Sequence, residues 1–597
     1  MKKIIFTLGI ILLLVSICAV SLYSYLSPEQ RVQPVADRST LRQTESGDVV
    51  GFTNEGVSAW LGIPYAQAPV GDLRWRAPNP VEISPKARDA LAFGSACPQY
   101  SGANLRGNED CLFLNIWSPQ STGTSSHPVM FWIHGGGNSI GEAATTIYNG
   151  ARLSREHNIV LVSINYRLGP LGWFRHPALN DEKSTAADQS GNFGTLDIIM
   201  ALRWVHNNIA AFYGDPGNVT IFGESAGGFD VLTMMASPLA EGLFHKAISQ
   251  SGGLNLTPVS VAENFKDDDR PGHNLSSAEI INTLLIREGQ ASNRSEAKSR
   301  QQEMRPEELA DLLITLTPKE LLSLYSGSFG GMLGNPDIFA DGHVLPAVED
   351  SIELFSDVKT YNEVPVILGT NRDEAKLFMA FSSAAVSKTF GLPSGFNSLA
   401  TYNRDNRYAT DGWKIRAVDD LAIAMKSAQK EGVYTYRFDV DDWRDVGLIE
   451  LKDLFGAAHA MELPFVFGNF PKPMRVIFPD AMRDEFEIVS RHMRSYWAEF
   501  AYSGSPGQGR SGDLITWNSW TNPPDSTPGL MVFDTESDQG IRMIDEKIST
   551  SDLRKRFLAD TSYGSQDQYC SAYKRVFSGK NFDADEYAKL GETGCSD

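Results

Sequence analysis

Gly223-Glu224-Ser225-Ala226-Gly227 sets one serine two residues from a glycine on either side. Glycines allow a sharp turn and a close helix contact, so this spacing can present the Ser225 hydroxyl as a nucleophile. The pattern is short, with about 0.4 matches expected by chance, and the flanking sequence has to decide. The apolar run VTIF at 219–222 leads straight into it and the helix-compatible GGFDVLTMMAS leads out. That is the strand, turn and helix such a nucleophile needs. His134-Gly135-Gly136-Gly137 follows another run, VMFWI at 129–133, and only about 0.007 matches of this kind are expected by chance. Its glycines leave backbone N–H groups open to a substrate oxygen. Gly136 and Gly137, with the amide of Ala226, can therefore form a three-donor oxyanion hole.

A serine hydroxyl needs a base to take its proton. A chain order of serine, acid, histidine leaves His245, His273, His343, His459 and His492 downstream of Ser225. His134 precedes the serine and sits among the glycine donors, which argues against it. His492 lies in the helical pattern FEIVSRHMRSYWAEF, whereas His459 lies in GAAHAMELPF, a Gly/Ala-flanked loop after VYTYRF at 433–438. His459 is the expected base. Asp373 or Glu374, both following VPVIL at 364–368, can orient an imidazole, and their position does not separate them. Glu224, beside the nucleophile, either tunes the local field or pairs with an arginine. There is no Cys-x-x-Cys or His-x-His spacing, so neither a metal nor a cofactor is expected.

These residues have to be held by elements. VMFWI, IVLVSI at 159–164, VTIF, VPVIL and VYTYRF read as buried strands, and helical patterns such as Leu196, Ile199, Met200 and Trp204 fall between them. Alternation of strand and helix predicts an α/β fold with a mainly parallel sheet covered on both faces. Residues 261–319, rich in charge and helix formers, interrupt that alternation and are expected to form a helical cap. No internal repeat is visible, so a solenoid or propeller is not expected.

The 597 residues carry 53 Lys plus Arg against 73 Asp plus Glu, a net charge of -20. Such a surface repels a phosphate backbone, which excludes nucleic acid as a partner. Met1-Lys2-Lys3 followed by an uncharged stretch at 4–26 has the layout of an export signal, either cleaved near Ala19-Val20-Ser21 or kept as a membrane anchor. Residues 1–26 are read as that signal or anchor, 27–46 as a linker, 47–545 as the main domain and 546–597 as a C-terminal appendage. A lipoprotein reading of Cys18 is disfavoured by the bulky Ile17 before it. Export leaves four cysteines to pair, and two local bridges are simplest: Cys97 with Cys111, and Cys570 with Cys595.

Taken together, the motifs resemble those of the type-B carboxylesterases, the family that includes cholinesterases and some secreted lipases. The resemblance runs from about Gly47 to Asp534. It rests on GVSAWLGIPYAQAPVGDLRWRAP, EDCLFLNIW, HGGG, NYRLGPLGW, GESAGG, AISQSGG, GTNRDEAKLF and GAAHAMELPFVFG. It implies an α/β-hydrolase fold and a serine carboxylic ester hydrolase acting on a small-molecule ester. The implied nucleophile is Ser225, the acid Glu374 and the base His459. Gly136, Gly137 and Ala226 are the implied oxyanion donors, a Cys97–Cys111 bridge is implied, and Ser251 matches a serine placed behind the triad. The same chemistry on amides or long-chain lipids, and a non-catalytic binding ectodomain, are the alternatives. The 13-residue loop between Cys97 and Cys111 has no tryptophan, which disfavours choline esters. Asn138 stands where an aromatic residue commonly follows HGGG, and Asp230 where a small hydroxyl residue is common.

Overall fold

A computed structural model describes residues 33–597 apart from 121–125, 326, 328, 349, 431, 446–449, 473, 475, 476, 592 and 597. The export segment at 4–26, including Cys18, lies outside the described residues, as do 27–32 of the expected linker; the rest of that linker is described, and its Arg42–Thr44 pairs antiparallel with 47–49, so this part is built into the fold. Among the described residues no helix is long and apolar enough to cross a membrane.

The centre is one sheet of eleven strands: β1 (Phe52–Asn54), β2 (Val57–Pro64), β3 (Phe113–Pro119), β4 (His127–Ile133), β5 (Val160–Ile164), β6 (Gly214–Glu224), β7 (Lys246–Gln250), β8 (Val366–Asn371), β9 (Val433–Phe438), β10 (Leu530–Phe533) and β11 (Arg542–Ile544). Their spatial order is β11-β10-β9-β8-β7-β6-β4-β5-β3-β2-β1. The run from β10 to β5 is parallel throughout, and antiparallel strands close both edges. All five runs expected as strands lie in this sheet.

The central strands are apolar at consecutive positions because both faces are covered. Phe131, Ile133, Val162, Ile221 and Leu368 join one core cluster. Their neighbours Met130, Trp132, Leu161, Phe222 and Ile367 join the other. This is the period-two alternation of a strand, with apolar side chains required on each side. Helices α1 (Phe193–Asn208) and α2 (Ala226–Ala236) pack on the first face. NYRLG is anchored there by a buried ion pair, Arg167 to Asp197 of α1 at 2.7 Å.

The region expected as a cap contains α3 (Ser277–Arg287), α4 (Arg294–Glu303) and α5 (Pro306–Ile314). Ser276 and Asn293 cap α3 and α4, their side chains accepting from the N–H groups of Glu279 and Glu296. Leu284, Leu285 and Leu313 extend the first cluster, so these helices are continuous with its core. Farther along come α6 (Lys376–Ser382), α7 (Leu399–Lys414), a π-turn at Ile415–Asp419, α8 (Asp420–Gln429) and α9 (Arg483–Ser503). The long α9 covers the second face through Met493 and Trp497. Last are α10 (Thr550–Leu558) and α11 (Gln566–Val576), whose Leu553, Phe557 and Tyr573 share a third, smaller cluster with Tyr408 and Ile415. Both local disulfides are present, Cys97–Cys111 and Cys570–Cys595.

Candidate active site

In open α/β sheets, ligand sites form at the carboxyl ends of the strands. Ser225 follows β6 directly, His134 follows β4 directly, and Glu374 lies three residues past β8. Ser225 has φ 57° and ψ −125°, a conformation that costs a non-glycine residue about 1–3 kcal/mol. The turn is held on both sides: Ser225 N–H donates to Gln250 O at 2.9 Å, and Ser225 O accepts from Phe229 N at 3.0 Å. Ser225 occupies the N-cap of α2 without using its hydroxyl as a cap, so the hydroxyl remains available for chemistry.

The glycine loop runs against this turn. A Cβ added at Gly135 would sit 2.5 Å from Glu224 O and 3.0 Å from Ser225 Cβ, so only glycine fits there. Gly136 has φ 114°, which an L side chain rarely adopts. The N–H groups of Gly136 and Gly137 make no hydrogen bond among the described residues. That of Ala226 is at the first position of α2, where no intrahelical partner exists. Met332 covers the loop; a Cβ on Gly137 would approach its Sδ to 3.0 Å.

Of the five downstream histidines, His459 reaches this end of the sheet with buried carboxylates around it. Its Nδ1–H donates to Glu374 Oε2 at 2.6 Å. The other oxygen, Oε1, accepts from Ser251 Oγ at 2.6 Å, Thr370 Oγ1 at 2.9 Å and Asn371 N at 2.7 Å. The choice between adjacent carboxylates is thereby made by geometry. Asp373 turns the opposite way, accepting from Ala457 N and Asn406 Nδ2, with Arg372 and Lys376 beside it.

Nε2 of His459 lies 3.1 Å from Glu224 Oε1, a contact without hydrogen-bond alignment. No hydrogen bond joins Ser225 Oγ to the imidazole among the described residues. Glu224 thus faces a histidine and pairs with no arginine among the described residues. Burial pushes the Glu224 carboxyl up to about 8, with His459 opposing that rise and Glu462 and Glu374 adding to it. Burial works against a charged His459, but the carboxylates of Glu224 and Glu374 overcome it and lift the imidazole to about 9. Glu462, three residues after His459, is a third buried carboxyl raised by burial; it accepts from Asn371 Nδ2 at 2.6 Å and Gln250 Nε2 at 3.2 Å. No expectation singled out Glu462, Gln250 or Asn371, although each lies inside a quoted motif.

Two aromatic rings that no expectation singled out also meet the imidazole: Phe378, the last residue of GTNRDEAKLF, and Trp413, which lies in no quoted motif. Trp413 lies 4.8 Å and Phe378 5.5 Å from it, centroid to centroid. Trp413 Nε1–H donates to Ser251 O at 3.2 Å. The remaining histidines stand elsewhere. His134 is buried, stacks on Tyr166 at 4.5 Å and is pushed down to about 4 by burial. His245 and His273 accept backbone N–H groups from Val219 and Leu275. His492 lies on α9, and His343 in a turn.

The two departures, Asn138 and Asp230, meet behind the glycine loop. Asn138 Nδ2 donates to Asp337 Oδ2 at 3.1 Å. Asp230 is fully buried close to Asn138, Tyr166 and Asp337, with no well-aligned hydrogen bond to either oxygen. Burial, then repulsion from Asp337, holds its carboxyl well above the usual range. Asp337 is pushed up by burial to about 6.

A strained serine turn, a glycine loop and a carboxylate-held imidazole at the carboxyl end of a parallel sheet fit an α/β-hydrolase, and the chain belongs to the carboxylesterase family, whose model matches residues 38–411 and 400–547. It is similar to the para-nitrobenzyl esterase of Bacillus subtilis (strain 168), 33% identical over 533 residues, covering 83% of this chain and 94% of that protein. It is similar also to the human cocaine esterase, 33% identical over 527 residues, covering 79% and 85%. A solved carboxylesterase of Geobacillus stearothermophilus superimposes with a TM-score of 0.62 at 30% identity, over 86% of this chain and 99% of that one. The chain is an ester hydrolase of this family.

Proposed function

We propose that the protein hydrolyses carboxylic esters through an acyl-enzyme on Ser225. Oγ turns to Nε2 of His459 as substrate binds, gives up its proton and attacks the ester carbonyl. Glu374 holds the imidazole by Nδ1, which leaves Nε2 as the basic nitrogen, and favours the imidazolium as it forms. The amides of Gly136, Gly137 and Ala226 receive the developing oxyanion; each such donor contributes about 10²–10³ in rate. His459 returns the proton to the leaving alcohol, and water then attacks the acyl-enzyme through the same base. Ser251 orients Glu374 from behind.

The observation that carries this reading is the 2.6 Å bond from His459 Nδ1 to Glu374, at the strand ends where Ser225 takes its strained turn beside the glycine loop. The two disulfides fit an exported protein. Purified protein is expected to hydrolyse p-nitrophenyl acetate and butyrate, and Ser225→Ala to lose that activity while keeping its melting temperature. Hydrolysis that survives Ser225→Ala at the original rate would overturn the assignment.

A further inference from the structure

A cavity of about 810 Å³ opens between α6, α7 and the C-terminal helices. That volume lies within the range of small-molecule sites. Phe378 and Trp413 form one wall, and these are the rings that rest on His459. Tyr563, Ser571 and Arg575 form the opposite wall. They lie beyond residue 547, where the family match ends, so this wall is built by sequence outside that match. The cavity is one aromatic ring away from the imidazole.

Its charges are not equivalent. Arg404 is committed to Asp405 at 2.8 Å, to Ser562 O at 3.0 Å and to the face of Tyr563 at 3.9 Å. Arg575 shares the same Asp405 at 3.8 Å, and Asp567 is exposed on the first turn of α11. Arg416 differs from all of these. It projects from the π-turn after α7 and lines the cavity with its side chain exposed, and among the described residues it has neither a hydrogen bond nor an ion pair; Asp420 is the charge that acts on it. Such single π-turns within helices occur often at functional sites. An unpaired guanidinium in a pocket with aromatic walls suits a carboxylate on an apolar or aromatic stem.

The direction of proton transfer says which half of the substrate would reach it. The alcohol leaves with a proton from His459 and so lies on the imidazole side, where Phe378 and Trp413 stand. We propose that this cavity is an alcohol-side subsite for esters whose alcohol carries a carboxylate, with Arg416 as the anion-binding, specificity-determining residue and the C-terminal helices as its outer wall. This inference rests on the esterase reading above.

The test compares 4-acetoxybenzoate, whose leaving phenol bears a carboxylate, with its neutral methyl ester. In Arg416→Gln the ratio of kcat/KM for the charged over the neutral substrate should fall about tenfold, the scale of one charge-assisted contact open to solvent. The loss should come through KM, with the neutral ester unchanged and Arg416→Lys keeping part of the ratio. Ser571→Trp, which narrows the cavity from its outer wall, should raise KM for 4-acetoxybenzoate and leave ethyl acetate unaffected. A ratio unchanged in Arg416→Gln, or a fall shared equally by both esters, refutes the subsite while leaving the esterase standing. Failure of the unmodified protein to cleave even the neutral ester would bring down the proposed function, and this inference with it.

Discussion

Glu224→Gln is the perturbation that probes the base most directly, since it keeps the shape of the side chain and removes its ability to ionise. With Glu224 Oε1 at 3.1 Å from His459 Nε2, a full pair of charges at an effective dielectric of about 20 would interact by about 5 kcal/mol. Burial of both groups opposes part of that, which leaves about 1.5–3 kcal/mol, or one to two pH units. The sign follows from the imidazole. Its affinity for protons is raised to about 9, so the basic form is lost as pH falls through that region, above the ordinary histidine range. Glu224→Gln should therefore move the acid limb of kcat/KM toward lower pH by about one to two units, and activity near pH 6.5 should rise about tenfold or more. Above the limb the effect reverses, because the imidazolium of the transition state no longer faces a carboxylate; a loss of about tenfold is expected near pH 9.5. The assay is kcat/KM for p-nitrophenyl acetate across the pH range, corrected for spontaneous hydrolysis. Superimposable profiles would refute the coupling of Glu224 to the base.

Ser251→Ala removes the shortest of three donors on Glu374 Oε1; hydrogen bonds to a charged group contribute about 1.5–3 kcal/mol, so kcat should fall about tenfold at unchanged KM, and chemical denaturation should show a stability loss of similar size. Asp230→Asn tests the pocket behind the glycine loop. A carboxyl held above its unfolded value gives stability that is present at low pH and lost as pH rises, so the variant should gain in melting temperature over the unmodified protein at pH 8 compared with pH 5. Cys97→Ser opens a bridge of sequence separation 14, which the loop-closure relation puts at about 3 kcal/mol; urea unfolding with and without reductant measures it.

Legibility in the sequence followed how local each feature is. Ser225 and the glycine loop could be read because strand, turn and helix succeed one another within a few residues, and the turn itself imposes the glycines. The parallel strands could be read because two apolar clusters claim alternate side chains of the same run, leaving few polar positions, such as Ser163 and Thr220, to confuse the pattern. Asp373 and Glu374 could not be told apart without the resemblance, since they leave one turn in opposite directions and only the packing of 456–459 against it decides which meets the imidazole. Trp413 carries no motif and Phe378 only closes one, and their ring contacts with His459 join helices remote from it in the chain. Asn138 and Asp230 stood out only as separate oddities; Asp337, which brings them into one buried cluster, has no local signature at all.

The arrangement of donors explains how one imidazole can stand among three buried carboxyl groups. Charges of like sign this close cannot all persist in a low-dielectric site, so at least one group has to keep a proton. Glu374 accepts three hydrogen bonds on one oxygen and the imidazole on the other. Glu462 has two amide donors, from Asn371 and Gln250. Glu224 accepts no hydrogen bond among the described residues and only faces the imidazole, and burial is the largest influence on it. Glu224 accepts the fewest hydrogen bonds of the three, and it is the one whose charge responds when His459 gains or loses a proton. A resting site with neutral Glu224 avoids excess negative charge, whereas an ionised Glu224 would meet the imidazolium as Ser225 gives up its proton. The same residue then serves both states because its protonation is left unfixed, and this is why its replacement should move the acid limb of the pH profile and lower the rate above it, and not simply scale the rate.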